Sequence, residues 1–484
     1  MLHLLLIVVM AAVLTRDGLD SLPLIVELPA RSVLIMVLGA AGLVALVQHI
    51  IISLCGRRLD TTGSWHAARL AENTLHVTRL LTVALHLGAI FLLGWLDAVR
   101  HLLGGNHVLL DEILAVAPPI LVIIAGWCSY HAVDRRLRES SLLRALDEGN
   151  ALPPLITRAQ YVLDHARHQL LLVLAPVGLI VGWNEAADLA LASLPEPWNE
   201  PNAPSAQWLA TAVHLTGVAG VLVLMPAALR FMWDTVPLGA GPLRDRLADM
   251  CRLQGVRFRE LLVWRTHSRM LNGAVIGFLP RLRYLLLTDT LLETLSPTQI
   301  EAVMAHEVAH ARRHHLPWLM GSMFATLSLG WTACSWCGVW IAPMLIPEPW
   351  AVWGAIAFAS TGTLLLAVLV FGWVSRRFEQ QADAFAAQHL SGIDRRTPTT
   401  DPRPISLEAA AAMSSALQRV ARHNNIDPRR FSFRHGSIAQ RQRRLREIVG
   451  LPARRLPIDR VITLLKLATA LSVALSIALA LIDT

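Results

Sequence analysis

Long apolar runs recur along this chain and constrain its fold more than any other feature of the sequence. A helix that crosses a bilayer needs about 20 consecutive, predominantly apolar residues. Hydrophobic residues make up 54% of the 484 residues, and charged residues only 16%. We therefore predict a mainly α membrane protein, a multi-span bundle of about eight or nine transmembrane helices. The apolar runs lie near residues 1–14, 33–54, 77–98, 109–130, 169–188, 208–232, 318–345, 351–374 and 461–482.

Arginines mark one side of the predicted membrane. They concentrate in the gaps after the second and fourth runs and in the stretch 375–460, whereas the loop 192–207 has two glutamates and no basic residue. Basic loops tend to stay in the cytoplasm. We therefore predict a cytoplasmic N-terminus, an external C-terminus, and cytoplasmic placement of the two long polar stretches, 235–317 and 375–460. We expect a multi-pass protein of the bacterial plasma (inner) membrane.

The formal net charge of +8 does not predict a nucleic-acid partner, because membrane topology accounts for the clustered arginines. Lys466 is the only lysine in the chain, so a phosphate-binding loop ending in Gly-Lys-Ser/Thr is absent and we expect no use of ATP. The five cysteines are scattered through apolar runs and do not form a disulfide framework. Cys334 and Cys337 form a C-x-x-C inside one such run, where small residues one turn apart are common.

The polar stretches predict three parts of the chain. Residues 1–234 form an N-terminal membrane region of about six spans, residues 235–460 a domain interrupted by a two-helix membrane hairpin at 318–374, and residues 461–484 a C-terminal transmembrane helix. The segment 243–254 has helical spacing, and three short strands are expected at 258–264, 272–277 and 283–288. The run 1–14 is short for a span and lacks the basic start of a signal sequence, so both interpretations stay open.

The segment LSPTQIEAVMAHEVAHARRHH carries the chemistry. Ser296 suits a helix N-cap, Pro297 the first helical position, and Gln299 completes a capping box, so a helix is predicted from there to about His315. His306 and His310 are four residues apart and share one helical face, where both imidazoles can bind one metal ion. Glu307 lies one residue round the helix, in the position of a general base. This is the H-E-x-x-H pattern of zinc metalloproteases.

A catalytic zinc site needs a third protein ligand. The metzincin pattern is excluded, because Arg313 and Leu316 stand where it requires glycine and histidine. His314 and His315 are expected to point away from the first two histidines on the same helix. Glu379 is the better candidate, since the predicted hairpin returns it to the level of the H-E-x-x-H helix. Asp383, one turn later, can accept an N–H from a histidine ligand and orient it.

Several segments between about 240 and 447 together resemble one protein family. They are Asn272 and Ala274 in LNGAVIG, the run LLLTDTLLETLSPTQIEAVMAHEVAH, EQQAD after the hairpin, and His435–Gly436–Ser437 followed by Arg441. The family is that of the membrane zinc metalloproteases that include the HtpX heat-shock proteases and the CAAX prenyl endopeptidases.

This resemblance implies a small cytoplasmic α+β, zincin-like catalytic domain with one Zn²⁺ per chain. It implies His306, His310 and Glu379 as zinc ligands and Glu307 as general base. By the same resemblance, Asn272 contacts the substrate backbone and His435 stabilises the oxyanion. Gly273 inside the strand motif and Gly436 in place of the usual proline depart from the family pattern.

The sequence therefore predicts an ATP-independent zinc endopeptidase that cleaves membrane-associated proteins or peptides at the cytoplasmic face of the bilayer. Two alternatives stay open. One is a sensor–transducer metalloprotease of the β-lactam-receptor type, although those have a shorter interval between the two motifs. The other is a non-enzymatic transporter or scaffold with a degenerate site, which a lost ligand or base would indicate.

Overall fold

The computed structural model describes residues 2–17, 28–147, 157–200, 203–266, 270–347, 351–398, 400–424, 426–454 and 456–482. The chain divides into two compact units, Met1–Trp233 and Asp234–Thr484. The described residues are mostly helical, with one small sheet in the second unit. The predicted mainly α class with a small α+β part is confirmed.

The first unit consists of helices, because its sequence alternates long apolar runs with short polar breaks. A π-helical segment at Ala166–Leu170 joins two of them into one continuous rod. The helices are α1 (Leu2–Asp17), α2 (Ala30–Thr62), α3 (Trp65–Leu92), α4 (Trp95–Leu103), α5 (Leu110–Asp147), α6 (Arg158–His165), α7 (Leu171–Ala192) and α8 (Pro204–Met232).

The second unit combines the sheet with helices. Its elements are β1 (Thr235–Pro237), α9 (Pro242–Gln254), β2 (Glu260–Trp264), β3 (Gly273–Ile276), a 3₁₀ turn (Pro280–Leu282), β4 (Tyr284–Thr288), α10 (Asp289–Thr294), α11 (Pro297–Arg312), α12 (His315–Leu345), α13 (Ala351–Leu390), α14 (Leu407–His423), α15 (Ile438–Glu447) and α16 (Pro457–Ile482).

Seven described helical segments are long and apolar enough to cross a membrane. The difference from the expected eight or nine has physical causes. The first run is a helix of only 16 residues, and the run 318–345 lies in the 31-residue α12, whose glycine, serine and threonine residues dilute its apolar character. The seven segments are Ala30–Thr62, His66–Leu92, Leu110–Leu137, Arg158–Ala192, Pro204–Met232, Gly354–Leu390 and Pro457–Leu479.

The sheet has the strand order β1-β2-β4-β3. β2 and β4 are parallel, and the two other pairs are antiparallel. All five residues of β4 are buried, as expected for an inner strand covered on both faces. The three predicted strands are confirmed, and β1 was not predicted because a three-residue strand carries too short a pattern. The order leaves β3 at an edge of the sheet.

Helix α11 packs directly on β3. A Cβ at Gly273 would lie 3.1 Å from Val303 Cγ1, so glycine permits the helix to approach the strand closely. Met304 Sδ lies 3.5 Å from the same Cβ position, and Met304 and Val308 belong to the hydrophobic core of the unit together with Leu285. The predicted departure from the family pattern at position 273 therefore has a packing role.

The ends of α11 confirm one expectation and correct another. Ser296 and Gln299 form the predicted capping box at its start. The helix ends at Arg312, however, and not near His315, because His314 has a left-handed backbone (φ 55°). A new helix, α12, begins at His315. This break changes the direction in which His315 points.

Candidate metal centre

Two histidines on one face of α11 begin the site. The Nε2 atoms of His306 and His310 lie 3.4 Å apart, as the four-residue spacing on a helix predicts. His306 is buried and His310 is partly buried. Both rings therefore present a nitrogen to one point in space.

Glu379 reaches the same point from α13. This helix is continuous from the apolar segment of the hairpin through the EQQAD sequence, so the membrane helix itself carries the carboxylate to the histidines. Glu379 Oε2 lies 3.5 Å from His306 Nε2, and Oε1 lies 3.7 Å from His310 Nε2. Oε2 is buried and accepts no hydrogen bond from the described residues.

These donors fit a zinc ion. With Zn–ligand bonds of about 2.0–2.2 Å, tetrahedral ligand atoms lie roughly 3.3 Å apart, close to the observed separations. His306, His310 and Glu379 form a cluster whose ligand atoms all lie within 4.8 Å of one another. Two neutral imidazoles and one carboxylate are a donor set used by catalytic zinc sites, which keep the fourth position open.

A carboxylate orients the first histidine. His306 Nδ1 lies 2.9 Å from Asp383 Oδ1, one helical turn after Glu379. Arg441 of α15 donates to both oxygens of Asp383, at 2.8 and 2.6 Å. Burial disfavours the charge of this guanidinium, but the paired Asp383 raises its pKa above the usual value. Arg441 also lies 3.5 Å from Glu379 Oε2, so it holds both carboxylates.

A series of hydrogen bonds between uncharged side chains orients the second histidine. His310 Nδ1 lies 3.0 Å from His315 Nδ1, and His315 Nε2 lies 2.9 Å from Gln381 Oε1. Gln381 Nε2 then donates to Asp459 Oδ1 at 2.6 Å. If His310 binds metal through Nε2, its Nδ1–H donates to His315, which donates in turn to Gln381. The expectation that His315 points away is therefore wrong, because the helix break at His314 turns it back.

Glu307 lines a cavity of about 660 Å³ together with the three donors. Burial raises the pKa of this carboxyl to about 7, against the opposing effect of His306. A carboxylate that lines the same cavity as the three donors can accept a proton from water.

The two remaining predicted residues line the same cavity. Asn272 immediately precedes β3, and its backbone pairs with Thr288 at 3.0 Å. His435 Nδ1 lies 3.0 Å from Glu379 Oε1, so its imidazole can donate to the carboxylate. The structure thus brings His435 against a candidate ligand, and it places Asn272 at the edge strand.

The sequence interpretation gave Arg441, His315 and Gln381 no role. Arg441 was noticed only as part of the matched segment after His435. Gln381 lies two residues after Glu379 in EQQAD, and the run of two histidines at 314–315 was a visible signal. Neither pattern shows which side chains meet, because the contacts join α11, α12, α13 and α15.

Comparisons with known proteins found a protein family and a similar solved structure. Residues 238–399 match the model of Peptidase family M48, a range that contains His306, Glu307, His310 and Glu379. The expected family is thus confirmed for this part of the chain. No curated protein sequence matches the chain. Among solved structures, the crystal structure of S. mikatae Ste24p is similar, with 15% identity and a TM-score of 0.37, over 86% of this chain and 99% of that chain.

Replacing Gln381 with leucine should weaken metal binding. The change removes the acceptor for His315 Nε2–H. His315 is then held less firmly in the position from which it accepts a hydrogen bond from His310. We expect zinc affinity to fall about 10–100-fold, as for other contacts that orient a ligand. The measurement is a competition titration of purified protein against a zinc chelator of known affinity.

The matched control is Gln380→Leu at the neighbouring position. The Gln380 side chain accepts a hydrogen bond from Arg377 and takes no part in the hydrogen bonds that link His310, His315 and Gln381. This control should bind zinc like the wild type. Equal zinc affinities for the two variants would show that the contact with His315 does not support His310.

Proposed function

We propose that this chain, which carries a peptidase family M48 domain at residues 238–399, is an integral-membrane zinc endopeptidase. The observation that carries the proposal is the cluster of His306, His310 and Glu379 with Glu307 in one cavity. A complete donor set with a neighbouring base argues against a degenerate scaffold. Protein or peptide substrates in or at the lipid bilayer are the proposed partners.

The proposed metal ligands are His306 Nε2, His310 Nε2 and Glu379. A bound zinc ion would supply Lewis-acid polarisation of the scissile carbonyl and activation of water. Asp383 and Arg441 hold His306 and Glu379 in place, and His315 with Gln381 holds His310. The imidazoles thereby stay in the tautomer that leaves Nε2 free to bind a cation.

Glu307 is the proposed general base. Its carboxylate accepts a proton from the attacking water and delivers it to the leaving amine. Once it has accepted the proton, the same carboxyl group can act as the acid that protonates the leaving amine. His435 is proposed to donate a hydrogen bond in the cavity, either to Glu379 or to the developing oxyanion.

The edge strand favours an extended polypeptide as substrate. β3 pairs with β4 along one side, and its residue Val275 lines the cavity. A substrate strand added to such an edge gains backbone hydrogen bonds independent of its sequence. Asn272 stands at the start of this strand, where its side chain can contact the substrate backbone.

We place the site on the cytoplasmic side of a bacterial plasma membrane, and we propose that cleavage needs no ATP. The arginine-rich stretch 375–460 supports this orientation by the positive-inside rule. The absence of a Gly-Lys-Ser/Thr phosphate-binding loop supports ATP-independent cleavage.

Cysteine labelling should confirm the orientation. We expect single cysteines at positions 396 and 200, in a background with the five native cysteines replaced by serine, to face opposite sides. A membrane-impermeant maleimide applied to intact cells should label position 200 alone. Labelling of position 396 from outside would overturn the proposed side.

Replacing Glu379 with alanine should remove zinc. The change deletes the only carboxylate of the proposed ligand set, and we expect the affinity to fall by more than the roughly 10–100-fold typical of an orienting contact. Metal content is measured by elemental analysis after dialysis against buffered zinc. Gln380→Ala, on the adjacent position, is the control, and equal zinc in Glu379→Ala and wild type would remove this ligand from the proposal.

Replacing Glu307 with glutamine should spare the metal and stop the reaction. The three ligands remain, but an amide cannot accept the proton, so turnover should fall by roughly 10²–10⁴-fold. The assay is cleavage of casein and of a detergent-solubilised membrane protein without ATP, with zinc content measured on the same samples.

Wild-type cleavage should stop with 1,10-phenanthroline and return when zinc is added. Near-normal, chelator-sensitive cleavage by Glu307→Gln would exclude this residue as the base. Zinc loss in that variant would instead show a role in metal binding.

A further inference from the structure

A second cavity in the Asp234–Thr484 unit is rich in cationic side chains. It has a volume of about 280 Å³ and contains five basic side chains and one carboxylate, Asp394. His314 is the only lining residue that it shares with the cavity of the metal centre. The five basic residues are Arg312, Arg313, Arg395, Arg454 and Lys466.

The carboxylate does not balance this charge. Asp394 Oδ1 accepts hydrogen bonds from the backbone N–H groups of Arg396 and Thr397 and from the Thr397 hydroxyl. Its role is to shape the loop that follows α13. The charged groups of two cations instead contact neutral carbonyls. Lys466 Nζ donates to Arg313 O at 2.7 Å, and Arg454 donates to Thr397 O at 2.5 Å.

Two guanidinium nitrogens in this cavity lack an acceptor. The Nε atoms of Arg313 and Arg454 are buried and make no hydrogen bond within the described part of the chain. Among the described residues, the carboxylate paired with Arg313 is that of Asp459, at 3.8 Å between Arg313 Nη2 and Asp459 Oδ1. Buried N–H donors are normally satisfied, and none of the described residues supplies an acceptor for these two.

Like charges crowd each other here. Arg312, Arg313, Arg395 and Arg454 line one cavity of about 280 Å³, so their positive charges repel one another. An anion with several oxygens would relieve this repulsion and would accept hydrogen bonds from the guanidinium and ammonium groups that line the cavity. Guanidinium groups form paired hydrogen bonds to phosphate oxygens, and a phosphate carries more charge than a carboxylate.

We propose that the cavity lined by Arg312, Arg313, Arg395, Arg454 and Lys466 binds a phosphate group. The phosphate can belong to a lipid headgroup or to a free phosphate ion. Lys466 lies in the apolar segment Pro457–Leu479, and its ammonium lies 5.5 Å from the ring of Trp318. Trp318 stands at the start of the apolar run 318–345, and tryptophan near the ends of spans is typical of the headgroup level of a bilayer, which makes a lipid a suitable source.

Charge-removal variants with a matched control test the site. Arg312→Gln/Arg395→Gln removes two lining cations, whereas Arg396→Gln/Arg252→Gln removes two arginines that do not line the cavity. Inorganic phosphate is titrated into full-length protein in an uncharged detergent at constant ionic strength, with chloride as comparison. We expect phosphate affinity to fall at least about tenfold in the first variant and to stay unchanged in the second.

The second arm uses lipid. Nanodiscs of phosphatidylcholine containing phosphatidic acid are followed by extraction of the protein and mass spectrometry of the retained lipid. Retention of phosphatidic acid by wild type and control, but not by Arg312→Gln/Arg395→Gln, would identify a lipid headgroup. A difference seen with inorganic phosphate alone would identify a soluble phosphate.

Arg395→Gln alone, at an exposed position, replaces the double variant if thermal unfolding shows that the latter does not fold. Equal binding of both probes by the lining variant and its control would overturn the proposal.

Discussion

The contact of Asp383 with both His306 and Arg441 is the interaction on which the site depends. It joins three helices: α11 supplies the histidine, α13 the carboxylate and α15 the guanidinium. All three groups are largely buried, and an unpaired charge in such a place would cost several kcal/mol. The pairing therefore fixes the relative positions of the helices, and with them the distance of Glu379 from both histidines. A metal site needs this rigidity, because its ligands must converge before the ion binds.

The two candidate histidine ligands are supported in different ways. His306 contacts Asp383, which forms an ion pair with Arg441. His310 instead contacts the uncharged side chain of His315, which is hydrogen-bonded to Gln381. The ionic support increases the electron density on the imidazole more than the neutral one does. The chain behind His310 continues to Asp459 at the start of α16. The C-terminal apolar helix is thus connected to the candidate metal centre by hydrogen bonds within the same unit.

Much of the site could be predicted from the sequence because it depends on local periodicity. His306, Glu307 and His310 are set by one helix whose start is encoded by Ser296 and Gln299, and a four-residue spacing guarantees a shared face. Strand β4 and the long helices were likewise visible as apolar runs. The prediction from sequence failed where the chain deviates from a regular pattern. The left-handed residue His314 ends α11 early. Pro317 is the local signal for this break, because it has no N–H to donate to the carbonyl of Arg313 and belongs in the first turn of a new helix.

The sequence by itself determined the membrane class, the H-E-x-x-H helix and the carboxylate that could complete the donor set, because apolar length, helix caps and residue spacing are properties of single segments. Only the tertiary structure decided which side chains meet across segments. It placed Arg441 on Asp383, turned His315 towards His310, set His435 against Glu379, and gathered five cations around one small cavity. These contacts depend on the packing of helices far apart in the chain, and a packed arrangement is fixed by the sum of many weak interactions that no single segment contains.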